Sequence, residues 1–167
     1  GATWIEAAFD ADRYTTLRAD KSLRLFETPY EGWLFALEAA RNASEKTGVG
    51  ISFISAIDRT RPIEQANERA KLTSNLISSQ KHQITAKNIN GGEPYPGIIG
   101  LGLHGNEEGY PPEIFAEAFR IVTKKTEILS IPHAGEIAPT PGKGPESVEK
   151  AIDILNASRI QHGVLAR

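Results

Sequence analysis

The chain has 167 residues, enough for one domain with a real core and short for two. Its 40% hydrophobic and 24% charged content suits a globular protein, and a formal net charge of -2 without a basic stripe argues against binding nucleic acid through phosphates. Cysteine is absent, which excludes disulfides, thiolate nucleophiles and Cys-held zinc, so any metal must use His and carboxylate ligands.

In chain order, Ala2 to Phe9 is apolar and aromatic apart from Glu6 and reads as a strand. Asp10 to Glu27 is mixed and charged, without a clear period, and reads as connection. Pro29 opens a helical stretch through Lys46, with Trp33, Leu34 and Leu37 on one face and Gly48 as the stop. Val49 to Ile57 is the next strand, followed by Asp58-Arg59-Thr60-Arg61 and a polar helix from Pro62 to about Ser79. The apolar positions of that helix (Ile63, Ala66, Ala70, Leu72, Ile77) make a loose stripe. Lys81 to Tyr95, with Asn88-Ile89-Asn90-Gly91-Gly92, is a long connection rich in turn residues, and His82 within it reads as exposed.

Gly97 to Leu103 is a glycine-rich strand that runs into His104-Gly105-Asn106-Glu107. Pro111-Pro112 starts a helix in which Phe115, Ala118, Phe119 and Val122 share a face. Ile128 to Ile131 is an apolar, β-branched run that ends at Pro132 and opens into His133-Ala134-Gly135-Glu136. Pro145 opens a further helix with Val148, Ala151, Ile152 and Leu155 on one face. Arg159 to His162 is the last strand.

Strands alternate with helices that show one apolar face, which predicts βαβ units around a parallel sheet. In such folds the site gathers at the C-terminal strand ends. Arg59, the His104 to Glu107 segment, His133 with Glu136, and His162 all fall there. An isolated His-x-x-Glu is more often a half-buried His followed by a solvated Glu. Here, however, a second apolar run ending in His-Gly recurs at His162-Gly163, one helix later. A neutral imidazole is a common metal ligand, and a nearby carboxylate is the usual proton-transfer partner.

The ordered motifs resemble the adenosine deaminase family of zinc-dependent purine aminohydrolases, which are built on a (β/α)8 barrel. His133-Ala134-Gly135-Glu136 matches the family's HAGE, Arg159-Ile160-Gln161-His162-Gly163 is close to its RIGHG, and Ile98 to Glu107 resembles its fourth-strand segment. Gly144 to Val148 has the family's character as well. The resemblance implies an α/β fold: a partial (β/α)8 TIM barrel of about five parallel βα units, the second to the sixth, in a single domain over 1–167. It implies that His133 is a ligand of Zn2+ and that Glu136 protonates the purine ring nitrogen beside the amino-bearing carbon. His162 would orient or deprotonate the attacking water, and the backbone N–H of Gly105 would meet another ring nitrogen. The expected reaction is hydrolytic deamination of adenosine, with adenine or another 6-aminopurine as the alternative. A non-catalytic fragment or binding domain is the reading from a different class.

The sequence also departs from the family pattern. The first-strand His-x-His pair and the eighth-strand aspartate are absent. Gln161 replaces a glycine, Thr60 stands where relatives often carry histidine, and His104 replaces a small residue beside Gly105. His104 reads as a loop or pocket residue, with a ligand role the lesser alternative. Arg59 reads as an ion-pair partner beneath the site, Glu107 and Glu108 as shaping the loop, and Trp4 and Trp33 as packing residues.

The expected partner is a small-molecule purine nucleoside, with no nucleic acid and no membrane, in a cytoplasmic setting. The lack of Met and the strand-like residues at both ends read as a stretch of a longer chain. Taken alone, such a stretch is expected to be inactive and poorly folded, with edge strands at Ala2–Phe9 and Arg159–His162. Ile98, Leu101 and Ile131 are expected to be uncovered.

Overall fold

The computed structural model describes residues 1–15, 24–79, 83–84, 95–137, 140 and 142–167, with the backbone alone for 83–84 and 95–96. His82, the Asn88–Gly92 turn run and residues 16–23 of the first connection lie outside the described residues.

Among the described residues, seven strands and four α-helices follow one another: β1 (Trp4–Phe9), α1 (Pro29–Thr47), β2 (Gly50–Asp58), α2 (Ile63–Ser78), β3 (Gln83–Ile84), β4 (Tyr95–Pro96), β5 (Ile98–His104), α3 (Ala116–Thr123), β6 (Leu129–Ala134), α4 (Lys143–Asp153) and β7 (Gln161–His162). Five strands form one sheet in the order β1-β2-β5-β6-β7. Its β5-β6 and β6-β7 ladders are parallel, pairing Gly102 with Ile131 and His133 with Gln161. Each of these strands lies beside the next one in the chain, with a helix between. That is the order of a barrel, whereas a doubly wound sheet reverses direction part-way. The fold is therefore α/β, a partial (β/α)8 barrel. Within the connection before β5, the structure adds the short antiparallel pair β3-β4. No helix among the described residues is long and apolar enough to cross a membrane.

By their contacts the residues form two compact units, Gly1–Ile54 with Leu76–Ile99, and Ser55–Asn75 with Gly100–Arg167. The first is packed by aromatic rings. Phe9 meets Trp33 edge-on at 4.9 Å between centroids, and Phe53 lies 5.8 Å from both. α1 supplies Trp33 and Leu37 to this packing because its ends are well specified. Thr28 and Glu31 form a reciprocal capping box at the start, and Gly48 takes the left-handed conformation that ends the helix.

The second unit has a core of Ile57, Leu101, Leu103, Phe115, Phe119, Val122 and Leu155, closed by Ala66 and Ala70 of α2. The α2 face is less apolar than its stripe suggests, since Arg69 and Thr73 are buried on it as well. The Thr73 hydroxyl lies 2.7 Å from that of Ser55 on β2, which satisfies both groups away from water.

Several expectations change. The helix after Pro111 begins with a 3-10 turn over Pro112–Phe115 before α3, although Phe115, Ala118, Phe119 and Val122 are all buried as the spacing requires. α4 starts at Lys143, two residues before Pro145, and Ile152 is exposed because Gly144, Ser147 and Ala151 form the buried side. The last strand is only Gln161–His162, since the N–H groups of Ser158 and Arg159 both turn to the Ser130 carbonyl. Ile98, Leu101 and Ile131 are covered, each at most 1% exposed. For Leu101 the cover is the α2 and α3 side chains of its own core. For Ile131 it includes the space left by Gly100, where an added Cβ would lie 2.6 Å from Ile131 Cδ1.

Candidate active site

All the residues singled out at the strand ends belong to the second unit. β2 ends at Asp58, immediately before Arg59; β5 ends at His104, before Gly105; β6 carries His133 as its penultimate residue; and β7 ends at His162. Parallel register does the gathering. His133 pairs with Gln161 and Ala134 with His162, so two histidines from separate strands arrive one residue apart in height.

His133 is half-buried. Its ring centroid lies 4.9 Å from that of His162 and 6.4 Å from that of His104. Burial first, then the neighbouring His162 and His104, hold the His133 imidazole below its ordinary pKa of 6.5. The ring is therefore neutral at pH 7, with a lone pair to offer. His104 does not line the cavity bounded by Glu107 and Lys150, and its loop, pocket and ligand readings all stay open.

His162 has a φ of 74°, a left-handed backbone that is uncommon outside glycine. From it, Nε2 comes within 3.5 Å of Glu136 Oε2, both side chains being somewhat over a third exposed. One potential donor atom from each of His133, Glu136 and His162 lies within 4.8 Å of the others. Two imidazoles and a carboxylate are hard-to-borderline donors of the kind zinc accepts, and the neutral His133 is in the protonation state that a metal requires. The donor chemistry therefore fits the metal that the sequence resemblance implies.

The turn that presents Glu136 depends on a glycine, and so does the loop after β5. Gly135 has φ 64°, and a Cβ there would stand 2.7 Å from Val148 Cγ2. Gly105 has φ 96°, and a Cβ would stand 3.1 Å from Asp58 Oδ1. Both positions need a left-handed backbone that glycine adopts without steric cost, and at Gly135 there is also no room for a side chain.

Beneath the turn lies a buried ion pair. Arg59 is fully buried, with Nη1 4.0 Å from Glu107 Oε2. Its Nη2 donates to the His133 carbonyl at 2.6 Å, and its Nη1 donates to the Tyr110 carbonyl at 3.3 Å. Glu107 accepts from the N–H groups of Gly135 at 3.0 Å, Glu136 at 2.6 Å and Ile137 at 3.3 Å, and from the Ser147 hydroxyl at 2.5 Å. Burial pushes the Glu107 carboxyl up, but the Ser147 hydroxyl and the three N–H groups outweigh it and hold the carboxyl below its ordinary value. Stranding one charge of such a pair costs about 3–5 kcal/mol.

The role of Arg59 as an ion-pair partner beneath the site is what the structure shows. Glu107 does shape the loop, but its partners on the β6 turn and on α4 were not foreseeable. No spacing rule connects a residue after β5 with backbone amides some thirty positions on. Ser147 drew attention only as part of a family-like segment.

A separate cavity of about 280 Å³ is lined by Glu107, Pro112, Ile137, Glu146, Ser147 and Lys150 among others. Neither His133 nor His162 lines it. The site is therefore marked by converging donors rather than by the cavity.

The sequence model of one family, described as adenosine deaminase, matches residues 4–167. The chain belongs to the adenosine deaminase family. It is 31% identical, over 95% of its own length, to an adenine deaminase of Vibrio parahaemolyticus, of which it covers 38%. Other curated relatives carry the names putative adenosine/adenine deaminase and adenosine deaminase.

Solved structures that share the fold include the following two. An adenine deaminase from Arthrobacter aurescens superposes with a TM-score of 0.67 at 24% identity, covering 98% of this chain and 40% of its own. An amidohydrolase from Burkholderia ambifaria with bound Zn gives 0.66 at 22% identity, covering 96% and 36%. The chain thus spans well under half the length of the Vibrio parahaemolyticus relative and of both solved structures.

Proposed function

We propose that the complete protein carrying this stretch is a zinc-dependent aminohydrolase that converts a 6-aminopurine to the 6-oxopurine and ammonia, with adenine as its substrate. The observation that carries this reading is the convergence of His133, Glu136 and His162 at the strand ends of a chain of this family. The Vibrio parahaemolyticus relative, named for adenine, favours the free base over the initial expectation of adenosine. Adenosine remains the second reading, because other relatives are named for it.

Of the three converging donors, His133 would hold the zinc together with ligands from elsewhere in the complete protein, which leaves Glu136 and His162 for proton transfer. A bound zinc ion supplies a Lewis acid that lowers the pKa of its water from about 15.7 toward ~7. Glu136 delivers a proton to the ring nitrogen beside the amino-bearing carbon, which draws electrons from that carbon and opens it to attack. His162, 3.5 Å from Glu136, orients the attacking water and accepts its proton, which passes on to the amino group as the C–N bond breaks and ammonia leaves. The Gly105 N–H, on the loop that follows β5, donates to a second ring nitrogen.

In the complete protein, Glu136→Gln should keep its zinc and lower turnover by at least ~100-fold, the low end of general acid–base contributions. Near-parental turnover would remove the assigned role. Ammonia release from adenine, adenosine and 2′-deoxyadenosine, measured side by side, decides the substrate, and release from none of them overturns the function. The 167-residue chain alone should give no deamination above background.

A further inference from the structure

Glu107 gathers three amides of one turn and a helix hydroxyl onto a single buried carboxylate. This is possible only because the chain wraps around the carboxylate at Gly135. Its partner Arg59 grips the same segment from the other side, through the His133 carbonyl. The main chain of both His133 and Glu136 is thus fixed to one ion pair that itself lies out of solvent.

We propose that Glu107 is a positioning residue for the reaction: braced by Ser147 and Arg59, it sets the main chain of the Gly135–Ile137 turn so that the Glu136 carboxyl stands beside His162 and within reach of the purine. The inference rests on the reading of Glu136 as proton donor.

A carboxylate is the right group for this place, and its length matters. It offers only acceptors, and its four hydrogen-bond partners are all donors. A glutamine would turn an NH2 toward one of those donors, and an aspartate would fall a methylene short. The geometry also explains how a half-exposed acid on a loop keeps a fixed place. Its side chain meets His162 at the surface, while its backbone is held from below.

The test uses the complete protein and a double-mutant cycle. Glu107→Gln should lower kcat on the order of 10²-fold, the cost of displacing a reacting group by about 1 Å, with KM and zinc content near the parent's. In a Glu136→Gln background the same change should cost little more, because the group being positioned no longer works. Ser147→Ala removes one donor to Glu107 and leaves the turn amides in place. It should lower kcat in the same direction by less, and it carries the test if Glu107→Gln does not fold.

Parental kcat in Ser147→Ala and Glu107→Gln, or in Ser147→Ala alone where the other variant is unfolded, overturns the inference. A full multiplicative loss in the double variant overturns it too, since that is the mark of general structural damage. Parental turnover in Glu136→Gln itself takes down the proton-donor reading and this inference together, whereas the preceding outcomes leave that reading standing.

Discussion

In the first compact unit the rings of Phe9, Trp33 and Phe53 meet at 4.9 to 5.8 Å, and apolar contact does the holding. The second unit has buried charge as well as an apolar core. Arg59 and Glu107 lie below strand ends that carry His104, His133 and His162. Apolar packing asks only for shape and volume, and many side chains can meet that demand. A buried ion pair asks for each donor and acceptor in place, and it penalises any one that is missing. The second unit is therefore the more exacting of the two, and it carries the candidate site.

The largest test of that contrast lies in the histidines. In the complete protein, His133→Ala should lose its zinc and with it all measurable turnover, because a catalytic site with three or so protein ligands tolerates the loss of one poorly. His162→Ala should keep the metal and lose only rate, by ~10²–10⁴-fold. Elemental analysis of the purified variants checks the division of labour, and equal metal content in the two would contradict it.

A substitution in the first unit should act on stability instead. Trp33 is fully buried, so Trp33→Ala should destabilise by about 3–5 kcal/mol in denaturant titrations. The rate per folded molecule should stay near the parent's when measured well below the melting temperature. A comparable fall in that rate would mean that the chemistry depends on the aromatic packing after all, and the contrast between the units would fail.

Acid should sharpen the comparison with a smaller effect. At Asp58, burial raises the pKa, but the Thr60 hydroxyl and N–H and the charges of His104 and Arg61 outweigh it, so it is lowered, as at Glu107. A carboxylate with a depressed folded pKa contributes stability that is fully present above its unfolded value. That contribution is lost as pH falls through the folded value. Below about pH 4, near the ordinary carboxylate range, the amides of Gly135 to Ile137 should lose hydrogen-exchange protection first. The Trp33 fluorescence signal should change only at lower pH, and simultaneous loss of both would show that the units do not differ in this way.

Much of the fold was legible because periodicity and punctuation agree. Pro29, Gly48 and the Trp33/Leu37 spacing locate α1, and Phe115, Ala118, Phe119 and Val122 locate the buried side of the following helix. The site histidines were legible for a related reason. Each ends an apolar run, and in a parallel sheet such ends assemble on one side. The β3-β4 pair was missed because two-residue strands carry no period to detect. The exposure of Ile152 was misjudged because small residues, Gly144 and Ala151, bury their helix face more closely than large ones do.

The sequence by itself determined the alternation of the main strands and helices, the placing of His133, Glu136 and His162 at or just past strand ends, and the family, since all three are local patterns repeated in order along the chain. Tertiary structure alone decided that Glu107 clamps the turn it never neighbours in sequence, that Arg59 spans from β2 to the His133 carbonyl, and that Ser147 completes the set. The physical reason lies in what each interaction reads. Hydrophobic periodicity is written along one element, whereas a buried carboxylate takes its donors from whichever backbones the fold brings within about 3 Å, and that proximity has no signature in the order of the residues.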